Sequence, residues 1–381
     1  MATPEELARI EAGPQTPAEH VWFEKYSHDR LQAWRQVQDP EADACTEIMS
    51  FQKPTGLLTE VERRAREEGG VFQAFLDHCY RVPEWVDFDL MELGVRMYRR
   101  YSVLQGLVLM CSSLVEGYAH NKPAQVLVAT GRLQKDVSRR IYETGQMLHN
   151  MVGPDGLRPG GVGHRTLMEV RLLHSAVRQF LKRHPEKFDT SVNDLPINQE
   201  DMAGTVLEFD FMVVRGLKRL GVNISREQHE AMHYLWRYAG YVLGVREELL
   251  TTTIEEQEVL ALQLTTHLYS PTRDSEALAK ALLRDMSNRP PFRLPYDTLL
   301  ALSRYLVGDK VADDLNIHSS TSSRVAVQMV RGMLGTVSRV IPVLPEPLLR
   351  RMEGLNFAMG RRVLSMELGD NPANWGFKAI A

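Results

Sequence analysis

Apolar residues return at intervals of three and four along most of the chain, while runs of strict apolar–polar alternation are scarce. That pattern predicts an all-α protein. The stretch 136–152 sets Val137, Ile141, Thr144, Leu148 and Met151 on one helical stripe, and 166–181 repeats the device with Leu167, Val170, His174, Val177 and Leu181. Between them lies Gly153-Pro-Asp-Gly-Leu-Arg-Pro-Gly-Gly-Val-Gly163, whose glycines and prolines cannot sustain a helix and so form a loop between two neighbouring helices. Further helices are predicted at 198–220, 225–249, 254–268, 275–286 and 320–340, with stops at Gly221-Val-Asn223, Ser270-Pro-Thr272 and Asn288-Arg-Pro-Pro-Phe292. The first part of the chain has its own patterns, at 18–38 and 57–68.

The most apolar stretch, 103–115, is interrupted by Gln105 and by Ser112-Ser113 and falls short of the roughly 20 residues that span a bilayer. It reads as a buried core helix, with no transmembrane segment expected. No repeat of solenoid length is present, and no Pro/Ser-rich linker divides the chain. The expected organisation is one compact central domain over 86–345, with a helical extension over 1–85 and a helical tail over 346–381.

Composition narrows the function classes. With 44% hydrophobic and 25% charged residues among 381, the chain is an ordinary globular sequence. Lys plus Arg number 45 against 49 Asp plus Glu, a formal charge of −4, which argues against a nucleic-acid partner because phosphate neutralisation needs clustered cations. The three cysteines, Cys45, Cys79 and Cys111, are widely spaced and form no C-x-x-C, which excludes a disulfide framework, a cysteine zinc knuckle and a covalently attached c-type haem. The start, Met1-Ala-Thr-Pro-Glu-Glu-Leu7, is acidic and polar where a signal peptide needs a basic start and an apolar run, so the expected location is cytoplasmic.

Candidate chemistry concentrates on three places. Most of the twelve histidines, among them His20, His120, His184 and His318, sit in polar or loop surroundings, but His174 occupies the middle of an apolar stripe. A ring there is either hydrogen-bonded to a carbonyl in the core or a metal ligand, a haem iron included, facing an apolar cavity. Arg140 and Thr144, four residues apart, share one side of their helix. They are a snorkelling or ion-paired arginine beside a core threonine, or a fixed cation and a hydroxyl beside a reacting group. The third place, His229-Glu230-Ala231-Met232-His233, matches the H-E-x-x-H pattern in which two imidazoles hold zinc and a glutamate activates water. Its continuation, Tyr-Leu-Trp-Arg-Tyr-Ala-Gly, lacks the G-x-x-H extension, and Glu247 and Glu248 stand in no known third-ligand motif.

Five segments in order carry a resemblance: Leu127-Val-Ala-Thr-Gly-Arg-Leu133, Arg140-Ile-Tyr-Glu-Thr144, Met168-Glu-Val-Arg-Leu-Leu-His-Ser-Ala-Val-Arg178, Pro196-Ile-Asn-Gln-Glu-Asp-Met-Ala-Gly-Thr205 and Tyr234-Leu-Trp-Arg-Tyr-Ala-Gly-Tyr-Val-Leu-Gly244. Together they are similar to latex-clearing rubber oxygenases and MpaB-type oxygenases over 97–249, with a weaker continuation toward Leu364.

The resemblance implies a globin-like helical core with added N- and C-terminal helices, holding a non-covalent haem b and using dioxygen to cleave a carbon–carbon double bond in an isoprenoid. It places the iron ligand on His174, and the distal arginine and threonine on Arg140 and Thr144. Where rubber oxygenases can carry an iron-capping lysine, this chain has Glu143. The family's catalytic glutamate lies upstream of the arginine, and Glu116 is the nearest carboxylate for that role. Secreted rubber oxygenases carry an export signal, so an intracellular apolar molecule is the expected substrate in place of solid rubber. Under this reading His229 and His233 are ordinary helix residues at an interface or in solvent, and Asn198-Gln-Glu-Asp201 is a helix start. The alternatives are a zinc peptidase on His229, Glu230 and His233, and a haem-binding protein without turnover.

Overall fold

The computed structural model describes residues 8–9, 11–49, 56–131 and 137–369. Met1 to Leu7, Leu133 at the end of the first motif, Asp136 and the last part of the tail lie outside them. Every regular element among the described residues is helical, with one isolated bridge between His120 and Tyr269, so the fold is all-α.

The first five helices, α1 (Pro17–Lys25), α2 (His28–Trp34), α3 (Pro40–Glu47), α4 (Leu57–Glu68) and α5 (Gly70–Tyr80), wrap one side of the molecule. The pattern over 18–38 splits into α1 and α2 because Tyr26 closes the first helix and Ser27, at φ −59 and ψ 153, opens the second. Next comes α6 (Phe88–Val108), which runs through a π-helical turn (Leu109–Ser113) into α7 (Leu114–Tyr118), followed by α8 (Asn121–Ala129). All five residues of the π turn are buried, which makes 103–115 the core segment its composition predicts. The two stripes become α9 (Val137–Met151) and α10 (Val162–Arg183), joined by the glycine-rich loop.

Beyond the short α11 (Thr190–Asn193), the predicted helix 198–220 is two: α12 (Gln199–Phe209) and α13 (Phe211–Arg219). The break falls at Asp210, whose φ −103 and ψ −86 are not helical. Asn198 caps α12 by accepting the Asp201 N–H at 2.9 Å, as its sequence predicts. The predicted helix 225–249 ends early, as α14 (Arg226–Val242). Gly244 stops it: φ is +88, and a Cβ there would stand 2.5 Å from Arg171 Nε and 2.7 Å from Asp39 Oδ2. Then follow α15 (Ile254–Leu268), α16 (Arg273–Asp285), α17 (Tyr296–Val307), α18 (Asp309–Asp314), α19 (Thr321–Val340) and α20 (Glu346–Leu368).

The main apolar core runs from Tyr26, at the end of α1, to Val327 in α19. α6 packs on α14 and α20, α9 on α10 and α20, and α10 on α3 and α4. The outer face of α10 is held by charge. Arg171 donates twice to Asp39, at 2.7 Å each, with both side chains 1% exposed, and Arg178 Nε donates to Asp43 at 2.8 Å. Leaving one member of such a buried pair alone costs about 3–5 kcal/mol, so the N-terminal helices pin α10 in place. No helix among the described residues is long and apolar enough to cross a membrane.

Candidate active site

The inner face of α10 carries Val170, Leu173, His174 and Val177 at spacings of three, one and three, and all four border a cavity of about 350 Å³. From α9 come Arg140, Glu143, Thr144 and Met147; from α7 come Leu114, Gly117 and Tyr118; from α12 come Asp201, Gly204, Thr205 and Glu208. Trp236 of α14 closes one end, stacked on Phe209 at 5.0 Å. The three residues singled out by sequence, Arg140, Thr144 and His174, therefore meet around one space.

His174 fits a ligand role in its chemistry. The ring keeps part of its surface accessible although protein encloses it, as a side chain bordering a void does, and its Nδ1 is buried without a hydrogen-bond partner. Of the two readings open from sequence, the carbonyl-bonded core histidine is thus not the one built at Nδ1. Burial, helped by Arg178, pushes the imidazole down to about 4, so it is neutral at physiological pH and keeps a lone pair for a metal. Arg140 Nη2 donates to Tyr118 Oη at 2.6 Å, while its buried Nη1 has no partner. The Thr144 hydroxyl donates to the Arg140 carbonyl at 3.0 Å, which leaves its oxygen lone pairs as acceptors. Glu143 borders the cavity in an ion pair with Arg139 at 2.9 Å.

Glu116, the carboxylate nearest in sequence, does not line the cavity. It is buried in an ion pair with Arg215 of α13. Among the carboxyls that do border the space is Glu208, about one helical turn beyond Gly204 on α12. Burial first, then the Glu116 charge, raises it to about 8 against the opposing pull of Arg140, so it holds a proton at neutral pH. Gly117 makes room for it: a Cβ at Gly117 would stand 2.1 Å from Glu208 Oε1. Nothing in Val206-Leu-Glu-Phe209 marks this glutamate, and a signal appears only when its distance from Gly117 is known.

His120 is a second correction. Its place at the start of α8 reads as loop, yet the side chain is buried, lines the cavity, leaves Nε2 without a partner and is pushed down to about 4 by burial.

The H-E-x-x-H string lies elsewhere. His229 and His233 are buried, not solvent-facing. His233 uses both ring nitrogens, Nδ1 with Asp210 at 3.0 Å and Nε2 with the Thr251 carbonyl at 3.1 Å. Glu230 points outward to Arg226 at 2.7 Å. Among the described residues no group of three or more potential ligands gathers, so the zinc-peptidase arrangement is not assembled.

The family described as "ER-bound oxygenase mpaB/B'/Rubber oxygenase, catalytic domain" matches residues 96–339. The rubber oxygenase of Streptomyces sp. (strain K30) is 25% identical over 290 residues, covering 74% of this chain and 70% of the relative. A solved structure of latex clearing protein LCP in the closed state superposes with a TM-score of 0.66 at 21% identity, covering 87% of this chain and 91% of that one. The helical fold is shared with that structure, and the family match sets aside the reading as a carrier without turnover. The chain belongs to the mpaB/rubber oxygenase catalytic-domain family and is an oxidoreductase of the oxygenase class.

Proposed function

We propose that the His174 cavity holds a non-covalent haem b and that the protein uses dioxygen to cleave a carbon–carbon double bond in an apolar, isoprenoid molecule. The observation that carries this reading is a pair of buried nitrogens without partners, His174 Nδ1 and Arg140 Nη1, in the walls of one cavity of an oxygenase-family protein. The residues present fit the group: a neutral imidazole, apolar walls and no competing ligand cluster among the described residues.

Haem, when bound, supplies the activation of dioxygen. The chain supplies the rest. His174 is the iron ligand, on a helix fixed from behind by the Arg171–Asp39 pair. Arg140, oriented by Tyr118, presents a fixed positive charge to oxygen atoms that gain negative charge in the reaction. Thr144 offers its hydroxyl beside that cation. Glu208, protonated at neutral pH, can donate a hydrogen bond into the space and hold a proton there. The apolar walls exclude water and admit a greasy substrate.

The test is spectroscopic. Protein purified with haem supplied should show a Soret band at stoichiometric loading, and His174→Ala should lose loading or change the ligation signature. A band of unchanged intensity and ligation in His174→Ala would assign the iron ligand to another residue, with His120 the first to examine.

A further inference from the structure

α9 is a partition between two hollows. Arg140, Glu143 and Met147 border the His174 cavity; Ile141, Tyr142, Gly145 and Leu148 border a second, half-open chamber of about 190 Å³, lined also by α6, α20 and the segment 286–294. Leu114 and Thr144 line both, so the two spaces share a wall. On α6 the chamber is lined by Tyr98, Ser102 and Gly106, one every four residues, and the stripe continues through Met110 of the π turn to Leu114.

The charged groups around the chamber are already engaged. Arg289 meets Glu367 at 2.9 Å. Arg99 donates to the Val152 carbonyl at 2.6 Å and lies 5.0 Å from the Phe357 ring centroid; His149 stacks on the same ring at 4.0 Å. Two hydroxyls are not engaged. Tyr142 Oη, on a side chain only 5% exposed, and Ser102 Oγ are buried with no hydrogen-bond partner. Both belong to residues that line this one largely apolar space. Burial pushes the Tyr142 phenol up to about 12, so it is a standing donor, and the Glu367 and Asp285 carboxylates close to it disfavour an anion beside it.

We propose that this chamber binds a neutral apolar chain bearing one hydroxyl or carbonyl oxygen, the oxygen bonded by Tyr142 or by Ser102 and the chain lying along α9 toward the shared wall at Thr144. That the occupant is the substrate rests on the oxygenase reading. The binding itself does not, and the experiment separates the two.

Gly106 and Gly204 provide a matched pair. Each lines one hollow only, Gly106 the chamber and Gly204 the His174 cavity, and a Cβ at either meets nothing within 4 Å. Phenylalanine at either site therefore enters open space, and replacing a mid-helix glycine favours the helix. The full chain is titrated calorimetrically with 1-decanol as the probe, while absorbance reads haem loading on the same preparations. Gly106→Phe should weaken decanol binding by more than about tenfold with haem loading retained, and Gly204→Phe should do the reverse. Tyr142→Phe should weaken decanol about 3- to 10-fold and leave 1-chlorodecane, which lacks the hydroxyl, unchanged.

Three results overturn the proposal: no decanol binding by the parent chain, undiminished binding by a Gly106→Phe protein that melts at the parental temperature, or loss of binding in Gly204→Phe. Should Gly106→Phe not fold, Gly360→Leu blocks the same chamber, since a Cβ there is in ordinary contact with His149 Nδ1 at 3.6 Å and nothing nearer. Decanol binding with no haem loading in any preparation would count against the oxygenase reading and leave the chamber standing.

Discussion

The two hollows on either side of α9 are walled by similar apolar side chains but differ in the state of their polar groups. Around the chamber, ion pairs and carbonyls consume every arginine of the lining, and the unmet groups are two neutral hydroxyls. Around the His174 cavity the unmet groups are nitrogens of two neutral imidazoles, a guanidinium and the Trp236 indole, beside a carboxyl that holds its proton. A space lined by unmet hydroxyls suits the binding of a neutral molecule. A space with lone-pair donors, a fixed cation and a proton suits chemistry. One helix can serve both because its two edges, four residues wide in sequence, are read separately.

The sharpest way to break this contrast is the glycine pair. Gly204→Phe should abolish haem loading and oxygen uptake, whereas Gly106→Phe should retain haem and lose the apolar ligand; equal effects of the two on both readouts would show that the hollows act as one. Next in size is Arg140→Leu. Removing a charge directed at reacting oxygen should lower kcat on the order of 10²-fold with haem content unchanged, a result checked by oxygen uptake against haem concentration. Tyr118→Phe removes only the group that orients Arg140, so it should cost about 3- to 10-fold in kcat and be silent in Arg140→Leu.

The smallest effect concerns Glu208. Its pKa in the folded chain, about 8, is above the ordinary 4.5, so the folded state keeps a proton that the unfolded chain releases. The stability tied to that proton is fully present below the unfolded value, declines as pH rises and is lost once pH passes about 8. Melting curves of Glu208→Gln should therefore gain on the parent between pH 5 and 8. A constant difference over that range would mean that Glu208 ionises like an exposed carboxylate.

Much of the fold was legible because helix formation is local. The stripes over α9 and α10, the glycine-rich stop between them and the Asn198 cap follow from contacts three and four residues apart. The breaks at Tyr26, Asp210 and Gly244 were not legible. At Gly244 the positive φ ends the helix, and the groups that bar any side chain there, Arg171 and Asp39, are distant in sequence. The same division runs through the site. His174 announced itself by interrupting an apolar stripe, and Arg140 with Thr144 by their helical spacing. Glu208 and His120 did not, since one is an unremarked glutamate and the other opens a helix.

By itself, then, the sequence determined the helical class and the edge that Arg140 and Thr144 share, because these depend on periodicity along one element. Its ordered motifs also pointed to the oxygenase family. Only the tertiary structure decided that Glu116 turns to Arg215 while Glu208 faces the cavity, and that α9 separates two spaces and not one core from solvent. A void is bounded by several helices at once, so no single periodicity contains it.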